Sequence, residues 1–342
     1  MIFDPAARRP AAWEREAERE RAHGVGPWRL SLRRLRRNRV ALLFGFIFVL
    51  LVAVCLAAPL WADHVAHTGP NENHLSDTIE VDGETRNVVG VDGVPIGPTW
   101  QGEFFLGADS NGRDIMVRLL YGGRNSLLIA VTAALITTVL SILLGLIAGY
   151  YRGPSDAVIR SVLDVLWSFP VVILGVALGV ALALGGVTIG PVTIGGDSLA
   201  IPILIIGVVS IPYMARPVRG QVMALREREF VDAARAQGAR PLRIMFTEVL
   251  PNLSSTVLVF FTLLIANAVL LEAALSFLGA GIQPPNPSWG TMIDDGVDRI
   301  STAPHLTIVP GAMLVLTVLS LNVFGDGVRD ALDPHATVRL EH

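Results

Sequence analysis

Apolar residues fall into six runs along the chain, at 40–61, 127–151, 170–184, 199–214, 253–279 and 306–324, with polar stretches between them. Runs of this length and purity read as helices crossing a bilayer, where a backbone must satisfy its own hydrogen bonds. The pattern therefore predicts an all-α integral membrane protein with six transmembrane helices and both chain ends on the same side. Ile115, Leu119 and Leu120 extend the second run backwards as an amphipathic lead-in. Two runs carry glycines four residues apart, Gly145/Gly149 and Gly175/Gly179, a spacing that permits close helix contact.

The longest polar gap with helical periodicity is Glu227–Pro251. Phe230, Ala233 and Ala234 are spaced as one face of a short helix. Gly238 is its expected stop, because a helix often ends in a left-handed residue that glycine adopts without strain. Pro241 suits the first turn of a second short helix with Leu242, Met245, Phe246 and Val249 as its apolar face. Pro251 is expected to close that helix before the next apolar run. A helix–turn–helix of polar character is thus predicted between the fourth and fifth spans.

Charge orients the spans. The gap after the fourth run holds Arg216, Arg219, Arg226, Arg228, Arg235, Arg240 and Arg243, and the segment before the first run holds Arg29, Arg33, Arg34, Arg36, Arg37 and Arg39. The positive-inside rule places both in the cytoplasm. The second cluster abuts a span, which favours contact with membrane lipid over a nucleic-acid-binding arm. Upstream, Glu14–Arg21 alternates in sign as a solvated helix does. By contrast 62–105 holds Asp63, Asp77, Glu80, Asp82, Glu84, Asp92 and Glu103 against a lone Arg86, as an outer segment should. Its two Val-Asp-Gly triplets, at Val81–Gly83 and Val91–Gly93, predict turns and short strands. His64, His67, His74 and Asp63 could in principle hold a metal, but their spacing matches no regular site and solvated polar sequence is the favoured reading. The expected inner connections are 152–164 and the helix–turn–helix; the expected outer ones are 185–197 and 280–304. Asp109 and Asp114 are candidates to pair with Arg113, Arg118 and Arg124.

Composition narrows the chemistry. The chain is 52% hydrophobic and 17% charged. It contains no lysine, all 27 basic residues other than histidine being arginine, so it has no phosphate-binding lysine of a P-loop and no Schiff-base lysine. Its single cysteine, Cys55, excludes an internal disulfide and reads as a small buried or lipid-facing group. Glu272 is the one charged residue inside an apolar run. It is either functional, as ionisable groups at membrane depth often are, or a helix-end group bonded to Ser276 one turn on.

Several stretches resemble permease subunits of ABC importers. Asp232-Ala233-Ala234, Gly238 and Leu250-Pro251 match the EAA loop of that family, with Asp232 in place of the usual Glu. The stretch Phe105–Leu127, the Leu-Ser-Phe-Leu-Gly-Ala-Gly run leading into Gln283–Gly296, and Gly325–Pro334 resemble the dipeptide, oligopeptide and nickel subfamily, specifically its C-type subunit. The likeness extends from about Leu30 to Pro334 and is weakest at 62–104. It implies a type I ABC-importer permease fold whose cytoplasmic coupling loop, here Phe230, Asp232, Ala233, Ala234, Gly238, Leu250 and Pro251, docks into an ATPase subunit. It implies four partners: a sister B-type permease, two ABC ATPase subunits and an extracytoplasmic substrate-binding protein. ATP and Mg would sit on the ATPases, with no cofactor on this chain. Peptides are the expected cargo, with nickel or another small solute as the alternative, and Glu272 is a candidate for the translocation path. The expected division is a cytoplasmic region at 1–39, a first span at 40–61, an outer segment with lead-in at 62–126, a five-span core at 127–328 and a cytoplasmic tail at 329–342. A self-contained ion-coupled carrier would leave the loop unexplained, and a membrane enzyme would need clustered His, Asp and Glu that the spans lack.

Overall fold

A computed structural model describes residues 27–332 apart from Gly190. The Glu14–Arg21 segment and the tail beyond Leu332, with Pro334, lie outside the described residues. In chain order the helices of eight residues or more are α1 (Pro27–Arg37), α2 (Arg39–Leu56), α3 (Ile115–Tyr151), α4 (Gly153–Ser168), α5 (Val171–Gly185), α6 (Ala200–Val209), α7 (Ile211–Leu225), α8 (Glu229–Ala236), α9 (Pro241–Phe277), α10 (Trp289–Val297) and α11 (His305–Leu332). Helices α2, α3, α9 and α11 are each long and apolar enough to cross a membrane, and the bent pairs α4–α5 and α6–α7 bring the total to six.

The bends have local causes. Phe169 is extended ahead of Pro170, which bars the α conformation there, and α4 meets α5 at 88°. The expected inner loop at 152–164 is therefore a helix. Helix α6 stops at Ser210 because Pro212 cannot donate the next bond, and α7 leaves at 40°. The fourth span then runs past Met214 to Leu225, taking Arg216 and Arg219 onto its C-terminal half. Those arginines find partners on α4: Arg219 pairs bidentately with Asp156 at 2.5 and 2.7 Å, and Arg216 reaches Asp164 at 2.8 Å.

Helix α3 is the hub, packing on α2, α6, α7 and α9. Its 37 residues fuse the amphipathic lead-in with the second span. Gly145 and Gly149 face α7 so closely that a Cβ on Gly149 would stand 2.7 Å from Val222 Cβ and 2.8 Å from the Arg219 carbonyl. One to two turns earlier on α3, Ser141 donates to the Ile211 carbonyl at the start of α7 at 3.0 Å, and Thr137 donates to the Gly207 carbonyl of α6 at 2.8 Å. Such bonds hold well where no water competes. Gly175 makes the equivalent close approach to Leu275. Cys55 is fully buried, against Gly123 of α3. On the outward side of α2, Val40, Leu43, Phe46, Val49 and Leu50 are exposed, as a lipid-facing surface requires.

Between α2 and α3 lies a small lobe with its own core of Ile79, Val81, Val88, Phe104 and Ala108. The first Val-Asp-Gly triplet makes the hairpin turn between β1 (Thr78–Val81) and β2 (Glu84–Asn87), with Asp82 and Gly83 at positive φ. Its histidines are dispersed: His74 bonds Asp77 at 2.7 Å, whereas His64 bonds back to the Leu60 carbonyl of its own turn at 3.2 Å. Asp109 pairs with Arg113 at 2.6 Å and lies 3.5 Å from Arg118, while Asp295 of α10 meets the same two arginines at 3.1 and 3.7 Å. Two cations and two anions thus lock the lobe and α10 onto the N-terminal end of α3. Burial pushes the Asp295 carboxyl up from its ordinary range, opposed by those arginines. Asp114, expected as an arginine partner, instead caps α3, accepting from Val117 N at 3.0 Å and Phe104 N at 2.7 Å. Burial raises its pKa and these backbone donors counter the rise.

The α3–α7 contact predicts a mutational asymmetry. Gly149→Val should destabilise the detergent-solubilised protein by about 1–3 kcal/mol through overpacking, lowering its melting temperature. Gly220→Ala, on α7 with open space around it, should leave the melting temperature unchanged or slightly raised. Equal melting of the Gly149→Val protein and the wild type would refute the close crossing.

Candidate functional site

The polar segment between α7 and α9 holds the residues singled out from the sequence. After Arg226 ends α7, Arg228 turns to an extended conformation and α8 begins, with Glu229 and Asp232 in its first turn, where the helix dipole favours carboxylates. Asp232 is exposed and pairs with Arg235 at 2.9 Å. Helix α8 ends in a Schellman arrangement: Gly238 N donates to the Arg235 carbonyl at 2.9 Å and Ala239 N to the Ala234 carbonyl at 3.1 Å. Gly238 itself has φ +77, and a Cβ there would meet nothing within 4 Å. The need for glycine at this turn is therefore one of backbone conformation alone.

The face that α8 buries differs from the expected one. Val231 is fully buried and is flanked by the half-buried Phe230 and Ala234, while Ala233 points outward with Asp232. Val231 lies three residues before Ala234, so helical spacing alone could have identified it. The second half also departs from expectation. Pro241 does begin a helix, but Pro251 does not end it: α9 is continuous from Pro241 to Phe277. A π-helical turn over Ile244–Val249 precedes the proline. Its wider i→i−5 pattern accommodates a residue that cannot donate in the i→i−4 ladder. The shifted register buries Ile244, Met245 and Val249 and leaves Leu242 and Phe246 exposed. Leu250 is partly buried against the core and Pro251 is exposed. Thus Asp232, Ala233 and Gly238 share an outward surface, whereas Leu250 and Pro251 belong to the foot of the fifth span.

Glu272 lies apart from this segment, near the other end of α9. It has no exposed surface. Ser276 Oγ donates to it at 2.7 Å, and the hydroxyls of Ser126 and Ser288 also face the carboxyl. Ser276 in turn accepts from Ile282 N at 3.1 Å, and Trp289 N donates to Ser126 at 3.3 Å. The expected outer loop at 280–304 thus folds back as α10. It is capped by Ser288 and anchored by the buried Trp289, whose indole donates to the Leu119 carbonyl at 3.1 Å. Glu272 is the polar centre where α3, α9 and α10 meet. The bond to Ser276 expected from the helical spacing is present.

Comparison with known proteins gives the same picture. Residues 141–338 match the family described as binding-protein-dependent transport system inner membrane component. Residues 26–76 match the N-terminal TM domain of oligopeptide transport permease C. The glutathione transport system permease protein GsiD of Pectobacterium atrosepticum is 36% identical over 308 residues, spanning 90% of this chain and 91% of that protein. The dipeptide transport system permease protein DppC of Alkalihalophilus pseudofirmus is 38% identical over 316 residues, spanning 91% of this chain and 90% of its own. In fold, an inward-facing structure of the MetNI methionine ABC transporter aligns with a TM-score of 0.51 at 20% identity, covering 64% of this chain and 98% of that one. With its spans, its interrupted polar segment and these matches taken together, the chain belongs to the inner-membrane permease family of binding-protein-dependent ABC importers.

Proposed function

We propose that this chain forms half of a translocation path for peptides, together with a sister B-type permease. The relatives named for dipeptide and glutathione transport support peptide cargo, since both names denote short peptides. Energy comes from two separate ATPase subunits that carry ATP and Mg, and cargo is delivered by an extracytoplasmic binding protein. Both chain ends and the α7–α9 segment are cytoplasmic; the 62–105 lobe is outside.

The observation that carries this reading is the placement of α8. It presents Asp232, Ala233 and Gly238 outward while Val231 pins it to the subunit. It is joined to the fourth span through Arg226–Arg228 and to the fifth through the continuous helix α9. A partner pressing on α8 would therefore act on two spans at once. Closure of the ATPases would move α8 and tilt α7 and α9, switching the path between its inward- and outward-open forms. Glu272 contributes indirectly, by holding the outer end of α9 to α3 and α10.

Two experiments test this. Gly238→Val places a β-branched residue at positive φ, at a local cost of about 1–3 kcal/mol, which six packed spans can bear. The variant should insert and assemble with the sister permease, yet lose cargo-stimulated ATP hydrolysis and transport in reconstituted vesicles. Full ATPase association with full transport would remove α8 from the mechanism. For the topology, cysteine at Asp82 should react with an impermeant thiol reagent in intact cells and cysteine at Arg228 should not; the reverse labelling would overturn the orientation.

A further inference from the structure

The inner end of α3 carries an aromatic joint. Tyr150, in the last turn of α3, is buried. The guanidinium carbons of Arg226 and Arg235 lie over its ring, 5.7 and 5.8 Å from the centroid. Arg226 caps α7, and Arg235 is in the last turn of α8. A single ring on the second span therefore touches both the foot of the fourth span and the far end of α8.

The two arginines differ in what else holds them. Arg235 also has Asp232 at 2.9 Å. Arg226 Nη1 is buried without a hydrogen-bond partner among the described residues, which leaves the ring face as a principal stabilising contact of that guanidinium. The neighbouring Arg152–Glu227 pair is short, at 2.6 Å, but largely exposed, and exposed pairs contribute little. One residue before Tyr150, Gly149 lets α7 approach at backbone distance, so α3 and α7 are already interlocked at this level.

We propose that Tyr150 is a positioning residue that clamps α8 to the α3–α7 crossing, so that α3, α7 and α8 move as one lever. The use of that lever in transport rests on the reading of α8 as the coupling element; the clamp itself does not. Without the ring, α8 would remain held by Val231 and by its covalent links to α7 and α9, and would swivel on them.

The test is a spin-label distance measurement in the full importer complex without nucleotide, in a Cys55→Ala background. One label goes on Ala236→Cys at the exposed end of α8. The other goes on Val131→Cys, exposed on α3 and roughly 28 Å up that helix from Tyr150. The wild type and Tyr150→Phe, which keeps the ring, should give the same narrow distribution. Tyr150→Leu should broaden it roughly twofold. Arg235→Gln, a change at an exposed site, should broaden it in the same direction and guards against misfolding of the leucine variant. A wild-type width in both Tyr150→Leu and Arg235→Gln, or a Tyr150→Phe distribution as broad as that of Tyr150→Leu, would overturn the clamp. No ATPase activity enters this measurement, so a failure of the Gly238→Val experiment would sink the coupling reading and leave this one standing.

Discussion

The crossing of α3 and α7 at Gly145 and Gly149 is the contact on which the rest of the subunit depends. With no hydrophobic driving force between helices in lipid, association rests on close packing and on polar groups that find partners across the interface. Here the glycines bring backbones together, Ser141 adds a hydroxyl-to-carbonyl bond to α7, and Thr137 adds one to the adjoining α6. This seam sets the height at which Tyr150 meets Arg226, and hence where α8 sits. It also brings Arg219 within reach of Asp156, which holds α4 against α7.

The N-terminal end of α3, with α10 and the lobe, is built on a different principle. Its polar groups are numerous and buried; its charged residues are largely paired, while one oxygen of Glu272 has no hydrogen-bond partner among the described residues. Asp109, Arg113, Arg118 and Asp295 neutralise one another, and Glu272 is enclosed by serines from three elements. Breaking one member of such a set leaves another buried group unpaired, which is costly. The arrangement makes α3, α9, α10 and the outer lobe a stiff unit. At the opposite end α8 is held by the buried Val231, by the Tyr150 ring against Arg226 and Arg235, and by part-exposed ion pairs.

Much of this was legible in the residues, because lipid imposes a coarse and strong pattern. The six apolar runs, the glycine pairs, the left-handed Gly238 and the Val-Asp-Gly hairpin turn all follow from local rules. What escaped depended on partners distant in the chain. Pro251 looks like a stop until the π-helical turn before it is seen. The 280–304 segment looks like a loop because Trp289 finds its pocket only once Gly122 and Gly123 of α3 are beside it. Tyr150 gave no local sign of its role, since its two arginines lie 76 and 85 residues further along the chain. Val231 is different: its burial was readable from helical spacing.

The central claim is that the outward face of α8 is where the ATPase subunit docks. Site-directed cross-linking tests it most directly. With Cys55 replaced by alanine, a cysteine at Ala233 should form a covalent adduct with the ATPase subunit in native membranes when treated with a short bifunctional thiol reagent, provided the ATPase carries cysteines around its docking cleft. A cysteine at Asp82 on the outer lobe should form none. Cross-linking from Ala233 that changes in yield when ATP is trapped on the ATPase would match a docking helix that moves with nucleotide. Failure of Ala233 and its exposed neighbour Asp232 to cross-link, in a complex from which the ATPase co-purifies, would contradict the account.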